Sequence, residues 1–265
     1  MAKARPLDPG GNHLLNALAR QDFDNIEQHL ETVCLEPGQV IFRQGAPIDH
    51  LYFPTSAILS WIATTRHGER VDVGVVGWEG MVGIPELIGY EASPYAVEVA
   101  LPGEAIRLKA KRFKAEFERF HSLHTVLFRY THTALIQLAQ ASACDRLHRA
   151  EERLARWLLM VHDRAPTDEL RLTQEILAGM IGVRRETVTM VLGALQKTGL
   201  IRTGRGRITL LDRAGMEAAA CECYPVIRRE FDQFLGIQQG PGEHGLHVRC
   251  ATAARAGTAL AASRA

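Results

Sequence analysis

The sequence predicts an α+β protein: an N-terminal antiparallel β-roll, one long helix, and a C-terminal winged helix-turn-helix. Three observations carry that prediction. From Thr32 to Leu108, short β-rich runs (VIF, LYFP, ILSWIATT, RVDVGVV, AVEVAL, AIRLKA) alternate with closely spaced glycines, the pattern of a roll or jelly roll. From about Ser122 to Cys144 there is neither proline nor glycine, and apolar residues return every three or four positions, the period of a packed helix. Between Leu172 and Leu211, two short amphipathic stretches flank Gly182 and a hairpin pattern follows, as in a helix-turn-helix with a wing.

Composition bounds the rest. A chain of 265 residues is long enough for two domains with separate cores, and 46% apolar with 23% charged residues is ordinary for a globular protein. With no signal peptide and no apolar run of spanning length, the expectation is a cytoplasmic protein without a membrane partner. Five cysteines, without framework spacing, point to thiols in a reducing compartment. A net charge of +1 excludes bulk electrostatic attraction to nucleic acid, so any such binding must come from a local patch.

Taken in order, residues 1–31 hold two short helices, Asn12–Arg20 and Asp22–Glu31, capped by Asn12 and Asp22. Residues 32–120 form the roll and a closing helix from Lys111. Within the roll, Phe42, Tyr52, Phe53, Trp61 and Trp78 are expected to fill core. Residues 121–145 form the long helix, where Leu123, Leu127, Tyr130, Ala134, Leu138 and Ala141 line one face and predict a two-helix seam, hence a homodimer. A helix packed only on its own roll would show the same pattern. Residues 146–235 form the output domain. It opens with an amphipathic helix that turns Leu147, Leu154, Trp157, Leu158 and Val161 inward, and Asp145 lies at the expected hinge. Residues 236–265, dominated by Gly, Ala, Arg and Ser, are expected to be a disordered tail.

Inside the output domain each piece has a mechanical reason. Thr173 is the expected N-cap of the first helix, Gly182 permits the sharp turn after it, and Val183 plugs the angle between helices. The second helix buries Val188, Val191, Leu192 and Leu195. Arg184, Arg185, Glu186, Thr187, Thr189 and Met190 stay near its open N-terminal end, the end that enters a DNA major groove. Arginine there can hold guanine bidentately, glutamate can accept from cytosine, and threonine hydroxyls suit phosphate. Past Gly199, Leu200–Arg202 is expected to pair with Arg207–Leu211, presenting Arg205 and Arg207 to the DNA backbone. From Arg171 to Arg207 there are seven basic and two acidic residues, a local charge of about +5, as phosphate neutralisation requires.

The run QEILAGMIGVRRETVTMVLGALQKTGLI closely resembles the DNA-binding domain of the Crp/Fnr transcription regulators, and EPGQVIFRQGAPIDHLYFPTSAILSW resembles the start of that family's effector-binding roll. The resemblance implies base reading by an Arg-Glu pair, here Arg185 and Glu186. A second arginine is expected four residues after the glutamate, but that position holds Met190, so a different half-site is expected. VGIPELIGYEASPYAVEVA falls where cyclic-nucleotide-binding members hold their phosphate. Glu86 matches the expected ribose contact, while Tyr95 stands in the arginine position and brings no charge to a phosphate. An unidentified small-molecule effector near Glu86 and Tyr95, or a roll without ligand, remain as readings.

No cofactor, metal or catalytic residue is expected. A cupin-type enzyme needs paired histidines in the roll, which has only His50 and His67. Cys221-x-Cys223, with Cys250, His244 and His247 downstream, is assigned to packing rather than to metal or redox chemistry, and the family's N-terminal iron-sulfur cysteines are missing, since the first cysteine is Cys34. The expected partners are double-stranded DNA, a second copy of the chain and, further, RNA polymerase. The alternative function is a ligand-binding or stress-response module whose helix-turn-helix makes protein contacts.

Overall fold

The computed structural model describes residues 11–236 except 118 and 120. Of the expected tail, 236–265, all but Gly236 lies outside them. In chain order, α1 (His13–Asn16) and α2 (Arg20–Glu27) lead into seven strands: β1 (Glu31–Leu35), β2 (Val40–Phe42), β3 (His50–Pro54), β4 (Ile58–Thr64), β5 (Arg70–Val76), β6 (Ala96–Leu101) and β7 (Gly103–Lys109), with α3 (Ile84–Leu87) between β5 and β6. Then come α4 (Ala110–Phe117), α5 (His121–Leu147), α6 (Ala150–His162), β8 (Glu169–Leu170), α7 (Gln174–Ile181), α8 (Arg185–Lys197), β9 (Ile201–Gly204), β10 (Arg207–Leu210), α9 (Arg213–Ala219) and α10 (Cys223–Leu235).

The roll is two antiparallel sheets, ordered β1-β7-β3 and β2-β6-β4-β5. Their inner faces supply Leu51, Phe53, Leu59, Trp61, Val97, Val99 and Leu108, all buried, so the alternation read in the sequence becomes the core of a sandwich. The N-terminal helices are shorter than expected. Asn12 does cap α1, accepting from the Leu14 and Leu15 amides at 3.0 and 3.2 Å. Its amide also donates to the Pro54 and Gly80 carbonyls, which stitches α1 to the roll. Asp22 is not a cap: it lies inside α2 and is buried. Glu31 begins β1 rather than ending a helix, because the ladder from Glu31↔Arg107 to Leu35↔Gly103 claims its backbone.

The long helix carries the main correction. Leu127, Tyr130, Ala134 and Ala141 are buried within a single chain, and Leu138 is packed against the same core; the side chain of Leu123 lies outside the described residues. Tyr130 donates its hydroxyl hydrogen to the Met81 carbonyl at 2.9 Å, and the Gln137 amide donates to the Val75 carbonyl at 3.1 Å. The periodicity was real, but the face it marks packs within the same chain, on the roll and on α10. The opposite face exposes Phe128 and Leu135, at 61% and 59%.

The hinge also moves. Asp145 lies in the last turn of α5, where its carbonyl and carboxylate accept from Arg153 at 3.3 and 3.4 Å; the break between helices is His148–Arg149. Leu147, expected inward, is 77% exposed. Beyond the break, α6 buries Leu154, Trp157, Leu158 and Val161 as expected. A buried ion pair joins the halves: Arg164 Nε donates to Glu79 Oε1 at 2.7 Å, its Nη1 donates to the Met160 carbonyl at 2.7 Å, and its guanidinium lies 4.9 Å over the Phe231 ring.

Candidate nucleic-acid interface

The reading head is built by caps and turns. Thr173 caps α7 by accepting from the Ile176 amide at 3.2 Å. At the other end, Gly182 takes φ +61°, a left-handed conformation that costs a glycine little, and returns its amide to α7. α8 then leaves with Val188, Val191, Leu192 and Leu195 buried and Arg184, Arg185, Glu186, Thr189 and Met190 exposed. Thr187 is half-buried at the edge. Arg184 is the N-cap residue in extended conformation and makes no side-chain cap bond, which leaves first-turn amides open to a phosphate.

Two glutamines that the sequence did not single out organise this face. Gln174, at the start of α7, accepts through Oε1 from both Arg185 Nε and Thr189 Oγ1 at 3.2 Å. Two of the expected DNA-contacting side chains are thereby held together. Gln196, near the end of α8, accepts from the Thr203 amide at 2.8 Å and the Thr203 hydroxyl at 2.5 Å, fixing β9 against α8. A glutamine at such a position looks like an ordinary solvated residue in the sequence, because its partners lie on another element.

The wing is larger than a hairpin. β8 adds to β10 through Leu170↔Ile208 and Glu169↔Thr209, giving the order β8-β10-β9. That extra strand brings Glu169 within 3.3 Å of Arg207, so Arg207 is partly neutralised. Arg205, in the exposed turn between β9 and β10, has no such partner among the described residues. Of the two expected backbone contacts, Arg205 is the open one. Asp212 caps α9 by accepting from the Gly215 amide.

The expected effector residues do not come together. Glu86 on α3 faces Lys114 of α4 at 4.0 Å, and the Tyr95 ring lies 5.9 Å from that of Trp61, with its hydroxyl pushed up to about 12 by burial. Neither lines a cleft of the roll, about 530 Å³, which is bounded by Arg43, Gln44, Thr65, Arg66, Arg70 and Glu98. Inside it, Arg70 is already paired with Glu98 at 2.5 Å. His244, His247 and Cys250 lie outside the described residues. The described partners of Cys221 and Cys223 are instead Cys144 and His148.

Comparison with known proteins places this architecture. Residues 152–219 match the Crp-like helix-turn-helix domain, and residues 32–120 match the cyclic nucleotide-binding domain. The chain is 29% identical over 198 residues to the transcriptional regulator SdrP of Thermus thermophilus, covering 72% of this chain and 94% of that one. It is 26% identical over 217 residues to the cyclic AMP receptor protein of the same organism, covering 79% and 97%. Among solved structures, FixK2 from Bradyrhizobium japonicum shares the fold with a TM-score of 0.63 at 16% identity, covering 72% of this chain and 98% of that one. Among the described residues, no helix is long and apolar enough to cross a membrane. A roll of the cyclic nucleotide-binding type, a long helix and a Crp-like helix-turn-helix follow one another here, and the chain belongs to the Crp/Fnr family of transcription regulators.

Proposed function

We propose that the protein binds a two-fold symmetric DNA operator as a homodimer, inserting α8 of each protomer into successive major grooves. The observation that carries this is the joint presentation of Arg185 and Thr189 by Gln174 on an exposed helix N-terminus. In this reading Arg185 and Glu186 contact base edges, Arg184, Thr187 and Thr189 contact the groove edge or phosphate, Met190 offers an apolar contact, and Arg205 grips the backbone from the wing.

The dimer seam is the outer face of α5. Thr125, Phe128, His132, Leu135, Ala139 and Ser142 follow one another at alternating three- and four-residue steps along the exposed side, the heptad spacing of a two-helix contact. Phe128 and Leu135 are its large apolar members. The proposal requires no effector: Tyr95 offers a cyclic phosphate no charge, and Glu86 faces Lys114.

The test is selection from a randomised duplex library with the purified protein, without additives, at two salt concentrations. The expected result is a symmetric site with half-sites about 34–36 Å apart and an affinity that falls steeply with salt. Weak binding that enriches no sequence at either salt would refute the proposal.

A further inference from the structure

Three of the cysteines gather away from the main core. Cys144, in the last turns of α5, Cys221, in the turn between α9 and α10, and Cys223, at the start of α10, are buried as a cluster of their own. His148, at the break after α5, completes a group in which one ligand atom from each of the four residues lies within 4.8 Å of all the others. From this geometry we infer a tetrahedral Cys3His site for a zinc ion, with Cys144, His148, Cys221 and Cys223 as ligands, clasping the end of α5 to the α9–α10 turn.

The spacing fits one ion. Zinc bonds of about 2.3 Å to sulfur and about 2.0 Å to nitrogen give tetrahedral edges of about 3.8 Å between sulfurs and about 3.5 Å between sulfur and nitrogen. The Cys144 and Cys221 sulfurs are 3.4 Å apart, and Cys223 Sγ is 3.7 Å from His148 Nδ1. An iron-sulfur cluster fits less well, because its cysteines bind different irons and must stand farther apart.

Two further features point the same way. The other nitrogen of the ligating histidine, Nε2, is 3.2 Å from Glu222 Oε1; a carboxylate behind the imidazole is what orients a zinc-bound histidine and fixes its tautomer. Then there is Arg156. It is 1% exposed, its Nε and Nη2 have no hydrogen-bond partner among the described residues, and its Nη1 reaches only the Met160 sulfur. A buried guanidinium with no anion hydrogen-bonded to it is costly, and although Arg156 feels the Asp145 carboxylate it makes no hydrogen bond to it among the described residues. It lies within electrostatic reach of all three cysteines. Zinc with three thiolates and a neutral imidazole carries one net negative charge, the three thiol protons passing to solvent on binding, and that charge would balance Arg156.

The cysteine spacing is shorter than in zinc ribbons, which is why the sequence alone favours packing. Here Cys221 lies before the helix and Cys223 in its first turn, and the other two ligands come from a helix end more than seventy residues earlier. Because its ligands are intramolecular and remote from α8, the site stands or falls separately from operator binding.

The experiment is metal analysis of the full chain carrying Cys34→Ser and Cys250→Ser, purified with reductant and dialysed against metal-free buffer. About one zinc per protomer is expected. Cobalt in its place should give the visible bands of a tetrahedral thiolate centre, lost when zinc is added. Cys144→Ser and Cys221→Ser should lose both signals. Because those variants could misfold, Glu222→Gln supplies the second arm: its side chain is 77% exposed, and its removal should weaken zinc affinity at least about 10-fold in competition with a chelator while circular dichroism is unchanged. Folded protein that retains no zinc, gives no cobalt bands and leaves all three thiols reactive would overturn the inference. So would a Cys144–Cys221 disulfide, formed with dioxygen as oxidant, in protein that never takes up metal under reductant.

Discussion

Arg164→Met is expected to be among the most damaging single changes outside the apolar core. It removes the Nε donor 2.7 Å from Glu79 Oε1 and leaves a carboxylate only 4% exposed, with the Gly77 amide, at 3.2 Å, as its described remaining donor. Stranding one partner of a buried pair costs about 3–5 kcal/mol. The expected loss at pH 7 is therefore about 3–5 kcal/mol. Replacing both groups, Glu79→Leu with Arg164→Met, should recover most of the loss, since an apolar pair of similar volume is often as stable as the ion pair. The assay is urea unfolding followed by circular dichroism, at fixed protein concentration because a dimer's stability depends on it. A single-variant loss below about 1 kcal/mol, or additive effects in the double variant, would show that the pair is a solvated contact and the argument from burial is wrong.

Other outcomes follow from the interface and the helix. Arg185→Ala should cost about 1–3 kcal/mol at the preferred site and relax specificity there, whereas Arg205→Ala should weaken specific and random duplexes alike; equal losses on both for Arg185→Ala, measured by fluorescence anisotropy, would remove it from base contact. Leu135→Arg, on the outer face of α5, should yield folded monomers in sedimentation and weaken operator binding, while Leu127→Ala, on the inner face, should cost about 2–5 kcal/mol of stability by opening a cavity; a dimeric Leu135→Arg protein would exclude that seam. Asp72, on β5 against Gly179 of α7, has its carboxyl raised by burial to about 6. A raised carboxyl favours the folded state most at pH below about 4 and loses that contribution as pH climbs through 6. Asp72→Asn should therefore stabilise the fold at pH 7.5, by at most about 3 kcal/mol and less because the residue keeps some solvent, with little change at pH 4, as read by urea unfolding; an equal gain at both pH values would rule out ionisation as the cause.

Much of this was legible in advance, and the misses share a cause. Thr173 and Gly182 act as expected because a cap or a turn is decided within three or four residues of chain. The face of α5 was misread because periodicity reports that a helix has an apolar stripe and not what covers it. Leu127 and Tyr130 are buried within their own chain, Tyr130 against Met81 of the roll, while Phe128, Leu135 and Leu147, fewer and scattered, are left outside. Gln174, Gln196 and the Arg164–Glu79 pair were invisible because each acts through a partner on another element, and no local rule of spacing joins residue 79 to residue 164.

The buried side chains of roll, long helix and output domain run together into one continuous cluster, from Leu14 through Trp61 and Leu158 to Phe234. Roll and helix-turn-helix are therefore not interchangeable cassettes. A chimera that grafted this helix-turn-helix onto a relative's roll would have to bring Glu79 along with Arg164 and Phe231. Exchange at the helix break alone would divide a single core, so graft boundaries for this chain should follow side-chain contacts rather than the connecting peptide.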